Sequence, residues 1–403
     1  MMSFRIFLIK RKLEDILIRI FVGIGRDIAL KNPLQEEFDI YFFFPFYHTG
    51  GAEKVHAALV NSFRDRKCVV LFTRKSNDEG FKSEFQKSGH KILDISPYTD
   101  NKKKYWKNLV WRGLISAHIN RQKKKPLVIN GQCNFAYKIS PWIKKEIPQI
   151  ELIHSFNSFA AIRIPFLPFY RQTVMISTKA IEQYKDQYLR LNVPQEYVNK
   201  IKFISNGIVV PAETNYKTRS FEVVKVLYSG RSTPEKRVQL AAKIAAAAKE
   251  EKLSAQFTFV GEIKDAVPSE FKDAIRLVGR VISVDEMNRF YGESDVILIT
   301  SSEEGFPMAI MEGMAYGCIV MATPVGDIPN RIKQPENGII FTSVTNEAEI
   351  VRQSLDFLKL LLKDEVYRKK IAESNHRLAQ ENFSIEKFQA EWRSLVNAQN
   401  NVA

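Results

Sequence analysis

Cysteine is scarce in this sequence, whose 403 residues include three, at positions 68, 133 and 318. An odd number so widely spaced provides neither a disulfide framework nor a C-x-x-C metal pair, which is typical of a protein in the reducing cytoplasm. No D-x-D triplet and no H-x-x-x-H spacing occurs either. We therefore expect no metal ion and no bound cofactor. The G-x-x-x-x-G-K-[ST] phosphate loop is absent as well, so a P-loop nucleotide site is excluded.

A long unbroken apolar run is also missing from the start of the chain, MMSFRIFLIKRKLEDILIRIFVGIGRDIALK. This stretch lacks the apolar core and the small-residue cleavage site of a signal peptide, and it carries too many charges to span a membrane. Its apolar residues recur at roughly helical spacing with cations between them, which predicts a basic amphipathic helix at about residues 4–30. Such a helix either lies on a membrane surface or packs on the protein's own N-terminal domain.

Acidic residues are few in the first half of the chain, where residues 1–221 have a net charge of +18 and residues 222–403 one of −3. A basic half can face nucleic acid, an anionic bilayer or water. No recognised nucleic-acid motif accompanies the charge, so we expect no nucleic-acid partner. The lysines and aromatics of NKKKYWKNLVWRG suit an anionic membrane surface, and they also suit a solvated helix face with inward-packed aromatics. We expect a cytoplasmic protein and favour peripheral contact with the inner face of the cell membrane.

Short β-rich runs alternate with helical patterns in both halves, from FDIYFFFPF to IKFISNGI and again from VVKVLYSG to CIVMATP. This alternation predicts an α/β protein with two Rossmann-like, doubly wound domains that face an interdomain cleft. We place the domains at residues 1–215 and 216–383. The polar stretch 208–222 is the predicted linker, and a helix over 384–403 is expected to pack back on the first domain.

The segment SSEEGFPMAIMEGMAYG, residues 301–317, follows an apolar run and sets Glu304 and Glu312 eight positions apart. Glu304 is predicted on the loop after a strand. Glu312 is predicted within the next helix, whose first turn should contain Pro307. The N–H groups of that turn suit an anion. Taken alone, the segment also fits an ordinary strand–loop–helix unit with a solvent-facing glutamate at the helix start.

Upstream, VLYSGRSTPEKRV places Arg231 and Lys236 just after another predicted strand, and Pro234 and Glu235 mark the expected start of the following helix. Two cations at the carboxyl end of a strand suit a diphosphate, because arginine binds two oxygens and lysine adds a point charge. If the segment stood alone, a pair of surface cations would be the simpler interpretation.

Several motifs follow one another in a fixed order: GGAEKV (50–55), SNGI (205–208), SGRSTPEKR (229–237), FVGE (259–262), VGRV (278–281), EEGFPMAIMEGMAYG (303–317), TPVGDIPNRI and ENGII. In this order they resemble the retaining, nucleotide-sugar-dependent glycosyltransferases of family 4, which have the GT-B fold. The resemblance is strongest from about 205 to 340. It is thinner before that, where GGAE is the main marker.

The resemblance implies four catalytic residues, namely Glu304, Arg231, Lys236 and His154. Glu304 faces the donor sugar near its anomeric carbon, while Arg231 and Lys236 hold the diphosphate and stabilise it as it leaves. His154, in LIHSF, matches a histidine that contacts the donor sugar in this family. A hydrogen-bonded core histidine is the alternative for His154.

The resemblance also implies a donor-binding set, in which the Gly-rich loop borders the diphosphate and acceptor, the VGRV turn borders the base, and the second glutamate binds the ribose. Besides the cations and Glu304, this set comprises Gly50, Gly51, Gly279, Arg280, Val281, Gly305, Phe306, Pro307 and Glu312.

The activity implied is a retaining transfer of a hexose-type sugar (EC 2.4) from a nucleotide-diphosphate sugar to a saccharide or lipid-linked saccharide, in surface polysaccharide or lipopolysaccharide synthesis. The first domain would bind the acceptor and the second the donor. Retention by double displacement needs a nucleophilic carboxylate near the anomeric carbon, whereas the resemblance favours a same-face substitution in which the leaving phosphate helps deprotonate the acceptor. The residues alone leave both routes open. The alternatives are a GT-B nucleotide-sugar epimerase, a phosphorylase, or a non-catalytic sugar- or nucleic-acid-binding protein.

Overall fold

The fold was described from a computed structural model, which covers residues 3–157, 160–214 and 219–400. By internal packing the chain divides into a first unit, up to Ser205 together with the residues from Phe388 onward, and a second unit, Asn206–Lys387. The domain boundary predicted between 215 and 216 lies outside the described residues, as do the last three residues of the predicted final helix.

The first unit is built on a parallel sheet whose strands lie in the order β3-β2-β1-β4-β5-β6-β7. One of its interior strands, Ile40–Phe44, is buried at all five positions, as parallel sheets covered by helices require. The strands are β1 (Ile40–Phe44), β2 (Cys68–Phe72), β3 (Lys91–Asp94), β4 (Leu127–Asn130), β5 (Gln149–Ile153), β6 (Gln172–Met175) and β7 (Ile201–Phe203). Register is set by pairs such as Ile40 with Cys68 on one side and with Leu127 on the other.

Helices connect these strands. They are α1 (Phe4–Lys31), α2 (Gly51–Asn61), α3 (Lys82–Gln86), α4 (Ser96–Thr99), α5 (Tyr105–Asn120), α6 (Asn134–Ile139), α7 (Thr178–Arg190) and α8 (Gln195–Asn199), with 3-10 turns at Lys102–Lys104, Ser140–Trp142 and Ile164–Phe169.

The second unit repeats the design with a parallel sheet in the order β10-β9-β8-β11-β12-β13. The strands are β8 (Val224–Ser229), β9 (Ala255–Val260), β10 (Ile275–Gly279), β11 (Val296–Ile299), β12 (Ile319–Ala322) and β13 (Gly338–Ile340). The helices are α9 (Val238–Glu250), α10 (Val284–Glu293), α11 (Met308–Ala315), α12 (Ile328–Arg331), α13 (Glu347–Lys363) and α14 (Glu365–Phe383), with 3-10 turns at Pro234–Lys236, Lys264–Ala266 and Ser269–Ala274. Two parallel, helix-covered sheets confirm the predicted α/β class.

The final helix, α15 (Ile385–Asn400), contributes its later turns to the first unit. Trp392 is fully buried, and Arg393 forms an ion pair of 2.7 Å with Asp65. The ends of the predicted linker 208–222 pack within the second unit. There the Ile208 amide donates to the Phe383 carbonyl at 2.8 Å, and the Arg219 side chain donates to backbone carbonyls of α10 and to that of Tyr316.

Helix α1 packs against α5 through a close backbone contact. A Cβ built on Gly25 would lie 1.9 Å from the Val110 carbonyl oxygen, and one on Gly113 would lie 2.0 Å from that of Val22. Glycine at both positions therefore lets the two helices touch. Among the described residues, no helix is long and apolar enough to cross a membrane.

Candidate active site

Two of the residues predicted to bind the donor, Lys236 and Glu304, meet where the strand order of the second unit reverses. Strands β8 and β11 are neighbours, with Val226 beside Val296, and the connections that leave them run to opposite sides. Such a switch point opens a crevice at the carboxyl ends of the strands. Lys236 and Glu304 follow these two strands, and the Lys236 Nζ donates to the Glu304 Oε1 at 2.5 Å.

This ion pair is largely shielded from water, because the Lys236 side chain is 22% exposed and that of Glu304 is 11% exposed. Glu304 Oε1 also accepts a hydrogen bond of 2.7 Å from the Ser301 hydroxyl. The backbone beneath Lys236 is fixed as well, since its carbonyl accepts from the hydroxyls of Tyr228 and Thr300, both at 3.1 Å. The ammonium and the carboxylate are therefore held in place before any ligand arrives.

The start of the helix after β8 differs from the prediction. Residues Pro234–Lys236 form a 3-10 turn, and α9 begins at Val238, because Arg237 adopts a left-handed conformation with φ of 49°. The Arg237 guanidinium donates to the Val344 carbonyl and to Glu347, contacts that a local sequence pattern does not reveal. Arg231 lies on the same loop with its side chain exposed to solvent.

A third loop, which follows β12, is hydrogen-bonded to the loop that carries Glu304. The Thr323 hydroxyl donates to the Ser301 carbonyl at 2.6 Å, and the Asp327 amide donates to the Gly305 carbonyl at 2.7 Å. Between these two contacts, Gly326 has a φ of +58° and lies directly against the backbone of Glu304. The motif TPVGDIPNRI marks this loop in the sequence, but its supporting role depends on contacts with a different strand end.

The second glutamate, Glu312, lies in α11 and is bonded to a residue that the sequence analysis missed. The Tyr291 hydroxyl donates to Glu312 Oε2 at 2.7 Å. Burial, and then the neighbouring Glu312 carboxylate, hold the pKa of Tyr291 well above its usual range, so the hydroxyl keeps its proton. Pro307 is the N-cap of α11, one residue before the first turn in which it was predicted. Gly305 and Phe306 precede it on the same loop.

The VGRV turn lies beside the end of the neighbouring strand β9. The Gly261 amide donates to the Gly279 carbonyl at 2.7 Å, and Arg280 lies 3.6 Å from Glu262. Val281 is half-buried and packs on the core of the second unit. The structure thus brings Gly279, Arg280 and Val281 to the same sheet edge as Lys236 and Glu304.

In the first unit, the predicted Gly-rich loop caps helix α2. Gly50 is the N-cap and Gly51 the first residue of the helix. A Cβ on Gly50 would lie 2.2 Å from the Glu53 carboxylate, which is buried and stands 3.5 Å from the His48 Nε2. The atom approached is the far end of the Glu53 side chain, so this contact alone does not require glycine at position 50.

His154 follows β5 and pairs with His56, a second residue that the sequence analysis missed. Their Nε2 atoms are 2.8 Å apart, so one ring donates and the other accepts. His56 is 1% exposed and stacks on Phe44 with ring centroids 4.1 Å apart. Burial lowers the pKa of His154 to about 4, and burial together with His154 lowers the pKa of His56 well below its usual range. Both rings are neutral at pH 7.

The histidine pair predicts that the first unit loses stability as the pH falls from 7 to 5. Below pH 6.5 a histidine in the unfolded chain takes up a proton, whereas His154 in the folded protein stays neutral until about pH 4. Acid therefore favours unfolding. At pH 5 the loss from this residue is on the order of 2 kcal/mol. His154→Gln should remove this part of the pH dependence when melting is compared at the two pH values. An unchanged dependence would contradict the neutral assignment.

Within the described ranges, no three His, Cys, Asp or Glu side chains are grouped so that they could hold a metal ion. The ionisable side chains that the structure brings to the sheet edge of the second unit include the pair of Lys236 with Glu304, and Glu312.

Part of this chain is similar to proteins that are already known. Residues 224–359 match the family model described as "Glycosyl transferases group 1". A curated relative, the amylovoran biosynthesis glycosyltransferase AmsK of Erwinia amylovora, is 24% identical over 38% of this chain and 40% of its own length. The chain spans less than half the length of the first curated relatives it matches.

Two solved structures resemble the whole architecture. A glycosyltransferase from Rickettsia africae has a TM-score of 0.67 at 19% identity, covering 90% of this chain and 99% of its own. Anabaena HepE, solved in complex with UDP and glucose, has a TM-score of 0.67 at 14% identity, covering 90% of this chain and 100% of its own. These likenesses show the GT-B fold. The family match over residues 224–359 runs from β8 into α13 of the second unit.

Proposed function

We propose that this protein is a retaining glycosyltransferase of the family 4 type that moves a hexose-type sugar from a nucleotide-diphosphate sugar to a saccharide or lipid-linked saccharide. The observation that carries the proposal is the shielded pair of Lys236 and Glu304 at the switch point of the second unit. The sugar and nucleotide named for HepE support a UDP-sugar as the first donor to test. The name of AmsK, an amylovoran biosynthesis glycosyltransferase, supports a biosynthetic role, and we propose that this role is in surface polysaccharide or lipopolysaccharide synthesis.

The charges of the second unit suit the departure of a nucleoside diphosphate. As the bond to the sugar breaks, negative charge grows on the phosphate oxygens and positive charge grows on the sugar. Lys236 and Arg231 stabilise the negative charge on the phosphate oxygens, and Glu304 stabilises the positive charge on the sugar. The diphosphate competes with Glu304 for the Lys236 ammonium, which frees the carboxylate to face the sugar.

The remaining contacts of the donor follow the same edge of the sheet. Glu312, oriented by Tyr291, accepts hydrogen bonds from the ribose hydroxyls. The turn at 279–281 borders the base, and the backbone at 305–307 binds sugar hydroxyls or phosphate. In the first unit, we assign the Gly50–Gly51 turn to the diphosphate and acceptor, and His154 to a hydroxyl of the donor sugar.

Glu304 bears on how configuration is retained. Its Oε1 accepts a hydrogen bond from Ser301 as well as from Lys236, so Oε1 keeps one partner when the diphosphate draws Lys236 away, and an attack on the anomeric carbon would use Oε2. We favour same-face substitution, in which the leaving phosphate takes the proton of the acceptor hydroxyl while the new glycosidic bond forms. A lipid-linked acceptor would place this reaction in the cytoplasm at the inner face of the cell membrane, where the basic first half of the chain complements anionic lipid.

A screen of UDP-, GDP- and ADP-sugars by thermal shift and donor hydrolysis tests the proposal. One nucleotide sugar should raise the melting temperature, because a ligand at 100 times its Kd stabilises the folded state by about 2.7 kcal/mol. Glu312→Gln should weaken that shift, since a neutral amide binds ribose hydroxyls less well.

The products of the screen separate the proposed transfer from its alternatives. Epimerised sugar, phosphate-dependent cleavage or binding without turnover would each replace the transferase by one of the other candidates. No shift with any nucleotide sugar would contradict the donor assignment.

A further inference from the structure

Helix α1 has two apolar faces, of which the first unit covers only one. Its inner face, which includes Val22, Gly25 and Ala29, is buried. On the opposite side a second set of aliphatic side chains is exposed, with Leu17 at 78% and Ile20 at 75%. We call this set the outer stripe, and it consists of Ile6, Ile9, Leu13, Ile16, Leu17, Ile20 and Ile24. Spacings of mostly three and four residues keep it on one side of the helix.

Positive charge runs along one edge of the outer stripe. Arg5, Lys12, Arg19 and Arg26 are spaced seven residues apart, which is close to two helical turns, so they form one row. The acids of the first half of α1 are turned toward the protein instead. Glu14 accepts from Lys138 at 2.6 Å and Asp15 accepts from Arg11 at 3.1 Å. Asp27 is exposed near the end of the helix and Arg26 lies 5.3 Å from the ring centre of Trp142, so the excess of exposed cations beside the outer stripe belongs to the earlier turns, at Arg5, Lys12 and Arg19.

A second group of interfacial residues lies next to this helix. Arg112 of α5 donates to the Tyr105 hydroxyl at 2.7 Å and stands 3.7 Å from Glu14 of α1. Tyr105 and its neighbour Trp106 are about half exposed, directly after the three lysines at 102–104. Exposed aromatic rings and lysines are enriched where a protein surface meets lipid headgroups.

We propose that α1 lies in the plane of an anionic bilayer, with the outer stripe toward the acyl chains and the cation row among the headgroups. The positive charge of α1 favours an anionic bilayer over a second copy of the chain as the partner of the outer stripe. Two copies facing each other would bring two cation rows into one interface. Anionic headgroups instead neutralise the cation row, and each cation should raise the affinity for the membrane about fivefold. The proposal rests on the proposed membrane location of the enzyme but not on its sugar chemistry.

Point substitutions test the surface better than deletion of α1, since deletion would uncover the face of α5 that α1 buries. We expect Leu17→Ser with Ile20→Ser to lower flotation with vesicles of phosphatidylcholine and about 30% phosphatidylglycerol by tenfold or more. Leu189→Ser with Val366→Ser is the matched control, because both side chains are 77% exposed elsewhere on the chain. This control should float like the wild type.

The cation row has its own test. Arg5→Gln, Lys12→Gln and Arg19→Gln together should weaken binding to the anionic vesicles by about 100-fold, at roughly fivefold for each cation. Binding to pure phosphatidylcholine should change little.

Two results would overturn the proposal. One is flotation of the Leu17/Ile20 variant equal to that of the wild type. The other is a wild-type dimer in sedimentation velocity that this variant converts to a monomer without lipid binding by either protein, which would make a second copy the occupant. The thermal shift with nucleotide sugars, measured on the same variant, reports the donor site separately. Failure of one proposal is thus distinguishable from failure of the other.

Discussion

Replacing Glu304 with glutamine should lower sugar transfer by about 10²- to 10³-fold, the loss typical when one preorganised electrostatic contact to the transition state is removed. Glutamine has the same shape, and its amide oxygen can still accept from Lys236 and Ser301, so the loop should keep its conformation. What disappears is the negative charge that opposes the positive charge of the sugar. Initial rates of transfer and a melting curve on the same protein separate the loss of charge from unfolding.

Glu303→Gln provides the matched control for this change. Glu303 is exposed on the same loop, so the variant makes the same charge change one residue away and should keep wild-type turnover. Lys236→Ala should cause a drop comparable with that of Glu304→Gln, and the combined variant should lose less than the sum of the two effects, because the two side chains act on one reaction centre. Wild-type turnover by Glu304→Gln would remove Glu304 from the mechanism.

The two loops that meet at this pair were predictable from the sequence, but their contact was not. Apolar runs and the turn residues after them located the ends of β8 and β11. Lys236 and Glu304, however, are 68 positions apart. They touch because β11 inserts beside β8 while β9 and β10 lie on its other side. Strand order depends on packing across the whole sheet, which the local patterns did not encode.

The residues that position the site were missed for a related reason. Tyr291 and His56 lie on helices and fit the local helical patterns, and each forms a hydrogen bond with a side chain distant in sequence. Helix α9 begins later than predicted, because Arg237 has a left-handed backbone and its side chain binds a carbonyl more than 100 residues away. Helix periodicity describes which face is apolar, and it does not reveal such partners.

The hydrophobic periodicity of α1 predicted the helix, but it did not show which of its apolar side chains pack on the protein. The apolar positions that predicted it include both inner residues, such as Phe4, and outer ones, such as Leu17. From the sequence alone, packing on the protein and contact with a membrane are alternatives for this helix. A helix of 28 residues with apolar side chains on two sides can satisfy both. The structure shows the packing, and the vesicle experiments address the membrane.

Gly326→Ala should destabilise the second unit by about 2–5 kcal/mol and also depress sugar transfer. A left-handed alanine costs about 1–2 kcal/mol, and forcing atoms into a filled space adds about 1–3 kcal/mol. The added Cβ would lie 2.2 Å from the carbonyl oxygens of both Glu304 and Gly305, so the catalytic loop has to move. Scanning calorimetry should show a fall in melting temperature of roughly 5–15 °C for a unit of this size.

Gly89→Ala separates the contact from the backbone strain. Gly89 has a φ of +74° but no atom within 4 Å of the position where its Cβ would be built. That variant should show only the backbone cost of about 1–2 kcal/mol and no loss of transfer. If Gly326→Ala lowered the melting temperature and sugar transfer no more than Gly89→Ala does, the loop after β12 would be flexible enough to accommodate the added methyl group. The position of Glu304 would then have to be fixed by its bonds to Lys236 and Ser301 alone.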